Sequence, residues 1–253
     1  MKLSDLPVGS KIKFGKYAVE DESPQPIIWL IVDKNYYNKD EYNLITEKII
    51  DLRAFDAREP NNPNNNNKKY GNTFYEQSNI FQWLNSDKKD WYNSKHEYDQ
   101  FPSNDYITNN TPYNNHSGFL YNFTKEDKLL LNNHLVFLPS SIEITNGFSF
   151  FKENSLKSIL TQQCFNNTLS DSKPSTINIS WHYLLRSEYN SSNIHAIHQN
   201  GSLSQVYPCR GDCGIRPCIS LYNDIIISDI LDSDDCYNII FPKTTKYINY
   251  KRS

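Results

Sequence analysis

The residues able to do chemistry are few and scattered. Five cysteines stand at positions 164, 209, 213, 218 and 236. Cys209, Cys213 and Cys218 follow a C-x3-C-x4-C spacing without any C-x-x-C pair, which is not the spacing of a zinc site. Reduced, half-buried thiols in or near strands are expected instead. Cys209 and Cys213 could close a small loop under oxidising conditions. Glu59-Pro60-Asn61 combines a carboxylate with amide oxygens, a donor set suited to a hard cation. No matching Asn-Asp pair stands late in the chain, so a calcium site is not expected there. Asp232-Ser233-Asp234-Asp235 reads as a solvated acidic turn. His195 and His198 lie three apart on an expected strand and so face opposite sides, which forbids joint chelation without a bulge. Arg210-Gly211-Asp212 copies an adhesion tripeptide, a match short enough to arise by chance. No G-x-S-x-G, H-E-x-x-H or P-loop occurs. The pattern points to binding without catalysis, with no metal and no cofactor.

Recognition chemistry gathers between Trp181 and Pro217. Tyr189, Asn190, Ser192, Asn193, His195, Gln199, Ser204, Tyr207, Arg210 and Asp212 mix aromatic, amide, hydroxyl and charged groups, a composition suited to adaptable recognition. These ten are the expected ligand contacts. Trp181, Arg186, Gly214 and Arg216 flank them as an expected structural frame. A guanidinium can grip several carbonyls or a carboxylate in a fixed fork, so Arg186 and Arg216 are expected to pin the loops to the core.

The elements that must position these residues are legible in part. Lys11–Tyr17 alternates apolar and polar residues and reads as a strand. Ile27–Val32 is a continuous apolar run and reads as a buried strand, with Tyr42–Thr46 as its antiparallel neighbour. Asn61–Asn67 contains no apolar residue and reads as a mobile surface loop. Ser78 caps a helix carrying Ile80, Phe81, Trp83 and Leu84, and Thr124 caps a second one. There Asp127 stands where a capping box has Glu or Gln. Residues 85–116 are polar, aromatic and aperiodic, a long irregular region of the kind that often carries function. Val136–Ser140 reads as a short strand, and Ser155–Leu169 as a weak helix or turn region. The last third is β-rich: strands at Trp181–Arg186, Ile194–Gln199, Leu203–Tyr207 and Gly214–Leu221, with Asn200-Gly201 as a two-residue hairpin turn. Asp224–Ser228 is a candidate last strand, and residues 229–253 a possible extended tail. The whole reads as one α+β domain over residues 1–253, with strands at both ends that pair with each other.

Composition bounds the partners. The chain has 253 residues, a net charge of −3 and 38% hydrophobic residues, with 18 tyrosines and one methionine. It carries no basic stripe, so nucleic acid is not an expected partner. The tail residues Lys243, Lys246, Lys251 and Arg252 are only mildly basic. Its apolar runs are far shorter than the roughly 20 residues of a membrane span. The N-terminus has no apolar core of a secretion signal, so synthesis in the cytoplasm without a signal peptide is expected.

Several segments resemble, in order, an uncharacterised family of domains of unknown function frequent in bacterial genomes and their prophages. They include Leu6-Pro7-Val8-Gly9-Ser10, Pro26-Ile27-Ile28-Trp29, Tyr70-Gly71-Asn72, Trp83-Leu84-Asn85-Ser86, Gly118-Phe119-Leu120-Tyr121-Asn122-Phe123-Thr124, Val136-Phe137-Leu138-Pro139-Ser140, Asn200-Gly201-Ser202-Leu203 and Gly214-Ile215-Arg216-Pro217. The C-terminal pattern is in turn similar to the C-type-lectin-like fold, in the branch that holds formylglycine-generating enzymes and phage receptor-binding proteins. The chain departs from the family where His182-Tyr183-Leu184-Leu185-Arg186-Ser187-Glu188 replaces a strand ending in Arg-Thr-Pro, and where Pro208–Asp212 replaces a Gly/Tyr-rich segment. The resemblance implies a C-type-lectin-like domain in a phage or tail-like particle released by lysis, recognising a host cell-surface glycan or protein. Its other implied partners are sibling particle proteins or further copies of itself. Two alternatives accompany it: an architectural component that contacts sibling subunits, and a copper-dependent oxidase of the formylglycine-generating type using Cys209 or Cys213.

Overall fold

Aromatic and β-branched residues alternate or cluster over most of the strand-forming segments, and they fold into two five-stranded sheets. The computed structural model describes residues 1–19, 22–109, 111–131 and 134–241. The first sheet starts from the expected meander: β1 (Lys11–Tyr17), β2 (Gln25–Lys34) and β3 (Glu41–Thr46) pair antiparallel in succession. C-terminal strands complete it. β9 (Cys218–Tyr222) pairs antiparallel with β3, and β10 (Tyr237–Asn238) lies parallel to β1. The two ends of the chain therefore share one sheet.

The second sheet has the order β4-β8-β5-β6-β7. Its members are β4 (Asp51–Leu52), β5 (Tyr183–Asn190), β6 (Asn193–Ile197), β7 (Leu203–Val206) and β8 (Gly214–Ile215). The expected single strand Gly214–Leu221 is in fact two strands in two sheets. Proline lacks the N–H a ladder needs, and at Arg216-Pro217 the chain leaves β8 in the second sheet and enters β9 in the first.

Four short α-helices occur among the described residues: α1 (Asn65–Tyr70), α2 (Asn79–Leu84), α3 (Lys125–Leu131) and α4 (Gln162–Asn167). The architecture is α+β, with the helices and irregular segments packed around mainly antiparallel sheets. Ser78 caps α2 by accepting from the Phe81 N–H. Thr124 and Asp127 close a reciprocal box on α3, each side chain accepting from the other's backbone N–H at 3.0 and 2.9 Å. Asp therefore serves where Glu was wanted. α1 overturns the expected loop at Asn61–Asn67. Asn64 caps it by accepting from Asn66 and Asn67, and Lys68 and Lys69 occupy its last turn, where cations suit the helix dipole. Val136–Ser140 forms only a single bridge, Phe137 to Cys218, not a strand. None of the described helices is long and apolar enough to cross a membrane. Lys243, Lys246, Lys251 and Arg252 lie outside the described residues.

One hydrophobic cluster runs through both sheets and helices α2, α3 and α4, and its largest fully buried side chains include Trp29, Trp83, Tyr113 and Tyr183. A charged group lies within it: Arg53 pairs with Asp51 at 2.6 Å, and Tyr17 donates to Asp51. The Arg53 guanidinium also donates to His116 Nδ1 at 2.6 Å. Burial, with Arg53 alongside, pushes the His116 imidazole down to about 3.

Candidate functional site

The expected frame residues hold the second sheet to the rest of the molecule. Arg216 is 3% exposed; its Nε and Nη2 donate to the Thr46 carbonyl at 3.1 and 2.9 Å, and Nη2 reaches Glu47 O at 3.2 Å. Arg186 donates to the Leu138 carbonyl at 2.6 Å, pairs with Glu143 and covers the Phe137 ring. Trp181 donates its indole N–H to Asp212 O at 2.8 Å. Gly214 pairs with Leu52 on one side and Tyr183 on the other, too close to Ile49 and the His182 carbonyl to admit a Cβ.

The ten expected contact residues do not form one patch. β5 and β6 are joined by a tight turn at Ser191-Ser192, since Asn190 pairs with Asn193. Asn190 Oδ1 accepts from the Ser192 N–H at 2.9 Å. At this end Tyr189 is exposed, its ring edge-on to His195 at 5.2 Å. Val206 pairs with Ile194, so Tyr207 emerges at the same end of the sheet. Gln199 lies beyond the other end of β6, a strand of about 13 Å at strand rise, and there its carbonyl accepts from Ser180 Oγ. Ser204, opposite Ala196 on the edge strand, stands between the two ends. Arg210 and Asp212 lie in the connection from β7 to β8.

The loop at that far end also differs from expectation. Ile197 pairs with Leu203, and His198 N–H donates to Ser202 O, so the connection is longer than Asn200-Gly201. Only Gly201 has positive φ, at 88°. The geometry is that of a three-residue loop ending on a left-handed glycine. Asn200 spends its side chain on Ser202, accepting from both its N–H and its hydroxyl.

Sequence reasoning missed half of the near-end surface. Tyr207 stacks face to face on Tyr70, with centroids 4.0 Å apart and 6° between planes, and the Lys69 ammonium lies over the Tyr70 ring at 5.0 Å. Asn66 reaches across to Ser191 Oγ at 2.9 Å. Hydrogen bonding to Lys69 and Tyr207 lowers the Tyr70 phenol, while bonding to Tyr70 raises that of Tyr207. α1 supplies all three missed residues. Its cap and basic last turn were readable, but asparagine is a poor helix former and the run resembled a loop.

The adhesion-like tripeptide is not displayed as such. Arg210 grips its own neighbour Asp212, Nε to Oδ1 at 2.9 Å and Nη2 to Oδ2 at 2.6 Å, and Asp212 is only 6% exposed. Gly211 is packed against Thr111 and Ile107. Asp212 thus faces inward, correcting its expected place on the contact surface. Beside it lie His182 and Cys213, whose donor atoms and an Asp212 oxygen all fall within 4.8 Å of one another. The Glu59 carboxylate is fully buried, held by the Asn62 and Asn67 amides and 3.2 Å from His96 Nε2. Lys13 bridges Asp232 and Asp234, so the acidic turn already holds a cation of the chain's own. All five cysteines are buried and free.

The irregular region contributes a cleft of about 430 Å³ between α2 and residues 85–95. Gln82 and Trp91 line it, and Gln82 Nε2 and Trp91 Nε1 are buried without hydrogen-bond partners.

Comparison with known proteins adds one assignment. No curated protein and no solved structure matches the chain. Residues 39–223, which run from before β3 through β9 and include the entire second sheet, match the family model described as Domain of unknown function (DUF6273), and the chain belongs to that family.

Proposed function

We propose that the chain is a non-enzymatic recognition module that presents the turn end of the β5–β6–β7 sheet to a hydroxyl-rich or protein surface. The observation that carries this reading is the stack of exposed Tyr207 on half-buried Tyr70 with Lys69 over it, at the end of the sheet that also carries Tyr189, Asn190 and Asn66. Stacked rings offer apolar edges and phenolic hydroxyls that bond sugars or peptide groups without losing many rotamers. Tyr207 follows directly on a β-sheet fixed by Arg216 and Arg186, and Tyr70 ends the capped helix α1, so little order has to be gained on binding. The buried thiols also favour recognition over thiol chemistry. Burial pushes the thiols of Cys164, Cys213 and Cys218 well up, away from the thiolate a nucleophile needs.

The resemblance to prophage-borne, C-type-lectin-like domains supplies the setting: a phage or tail-like particle whose module contacts a glycan or protein on a bacterial surface. An architectural role, with the same surface contacting sibling subunits, is the alternative. Fluorescently labelled full-length protein applied to a panel of bacterial strains separates them. Strain-selective labelling that unlabelled protein competes away, and that Tyr189→Ala with Tyr207→Ala abolishes while Gln199→Ala preserves, is the expected result. Labelling indifferent to the tyrosines overturns the placement of the site. Absence of labelling with co-purification of particle proteins establishes the architectural role instead.

A further inference from the structure

We propose that His182, Asp212 and Cys213 form a three-ligand site for a divalent transition cation of the zinc type, with a fourth coordination position left for water or a ligand atom. The site is separate from the recognition surface: His182 and Cys213 precede Tyr183 and Gly214 at the start of β5, the opposite end of that strand from Tyr189 and Asn190.

The geometry supports this in three ways. First, the distances suit a tetrahedral ion. Asp212 Oδ1 is 3.6 Å from His182 Nε2 and 3.8 Å from Cys213 Sγ. Zinc bonds of about 2.0–2.1 Å to nitrogen or oxygen and about 2.3 Å to sulfur place tetrahedral neighbours about 3.3–3.6 Å apart. A contraction of a few tenths of an ångström suffices for the two Asp212 pairs, and His182 Nε2 and Cys213 Sγ, within 4.8 Å of each other, have to close by at most about an ångström. Second, His182 Nε2 is buried and has no hydrogen-bond partner, leaving a costly unpaired polar atom beside a carboxylate. A cation bound to that nitrogen would satisfy it. Third, the surroundings orient the donors, as ligand-supporting groups do. Arg210 fixes the Asp212 carboxylate through two hydrogen bonds, and the Trp181 indole packs on the His182 ring at 4.6 Å while bonding to the Asp212 carbonyl.

The donor set indicates the class of ion. One nitrogen, one sulfur and one oxygen suit zinc, cobalt or a similar cation, and exclude calcium and magnesium, which take oxygen ligands. Binding replaces the thiol proton: Cys213–SH and M²⁺ give Cys213–S–M⁺ and a proton released to solvent. Arg210 opposes the added positive charge, so the affinity falls below that of closed four-ligand structural sites. His182 is half-buried and Arg210 partly exposed, which gives the ion its route inward.

No cysteine spacing announces this site, because its ligands come from separate segments. Its cause is register. The parallel pairing of Tyr183 with Gly214 sets the residues that precede each of them side by side.

The test uses the full chain, stripped with chelator and titrated with Co²⁺ alone. The expected result is one equivalent bound, with a thiolate-to-cobalt charge-transfer band in the near ultraviolet and intense visible bands of a four-coordinate ion, all displaced by Zn²⁺. Cys213→Ser should remove the charge-transfer band, and His182→Gln should weaken binding at least about tenfold. Cys236→Ser should leave both unchanged. If Cys213→Ser does not fold, His182→Gln decides through a second readout: Zn²⁺ should raise the unfolding midpoint of the parent and not of this variant. No cobalt band, or a band that survives Cys213→Ser or His182→Gln at undiminished affinity, overturns the assignment.

Discussion

Tyr183 and Gly214 lie side by side in parallel register, the one point where β5 meets β8. The Gly214 N–H donates to the His182 carbonyl at 2.9 Å, and the absent Cβ leaves room for Ile49. Gly214→Ala would put a carbon 2.8 Å from Ile49 and 2.9 Å from that carbonyl oxygen. The substitution should cost about 1–3 kcal/mol as overpacking, read as a lower midpoint in chemical denaturation. Undiminished stability would mean that β8 shifts freely against β5.

Arg216 is buried without any carboxylate against it in the described structure; its charge faces the Thr46 and Glu47 carbonyls and the Tyr183 ring. Arg216→Ala should destabilise by at least about 2 kcal/mol, because the bonds lost involve a charged donor and leave buried acceptors behind. Arg216→Lys should not restore stability, since one ammonium cannot reproduce the fork. Equilibrium unfolding of both variants checks this, and full rescue by lysine would show that charge alone suffices.

His116 gives stability a pH dependence with a definite sign. Its folded-state value is depressed to about 3 from the ordinary 6.5, so between these limits the unfolded chain binds the proton more readily. Its contribution is therefore fully present above about pH 6.5 and is lost as pH falls toward 3. His116→Gln keeps an acceptor for Arg53 and removes the titration. The variant should lose less stability than the parent across that window, measured by denaturant titrations at matched pH values.

Lys69 and Tyr70 provide a test of the stack that needs no ligand. Lys69→Met should move the Tyr70 phenol up toward its ordinary value, because the hydrogen bond from the ammonium is what lowers it most. Alkaline titration followed by ultraviolet absorbance, with Tyr70→Phe to identify the transition, reads the shift. An unchanged titration would mean that Lys69 does not occupy the ring.

The meander of β1–β3 was legible because apolar runs and alternation depend on local pattern, and the caps at Ser78 and Thr124 because they are chemical necessities of a helix end. The hairpin strands were legible too, but not the turn: Asn200-Gly201 suggested two left-handed residues, and only Gly201 adopts that conformation. Pro217 was read as part of a strand, although its missing N–H marks the point where the chain changes sheets. The proposed contact surface was half visible. Tyr189 and Tyr207 could be chosen by type and position, whereas Tyr70 and Lys69 come from an asparagine-rich helix far away in sequence. The grouping of His182 with Asp212 and Cys213 depends on strand register, which no local pattern reveals.

The passage through Arg216-Pro217 has a further consequence, for cooperativity. β8 and β9 are consecutive pieces of one short segment, each locked into a different sheet. Neither sheet can open at that point without dragging on the other, so local unfolding there is suppressed and the segment belongs to the global unfolding unit. Native-state hydrogen exchange should find Ile215 and Cys218 amides released together, at the full unfolding free energy and with the full denaturant slope. The edge strand β7 should exchange earlier and independently. The turn end of the β5–β6 hairpin can then open locally while the junction of the two sheets stays closed.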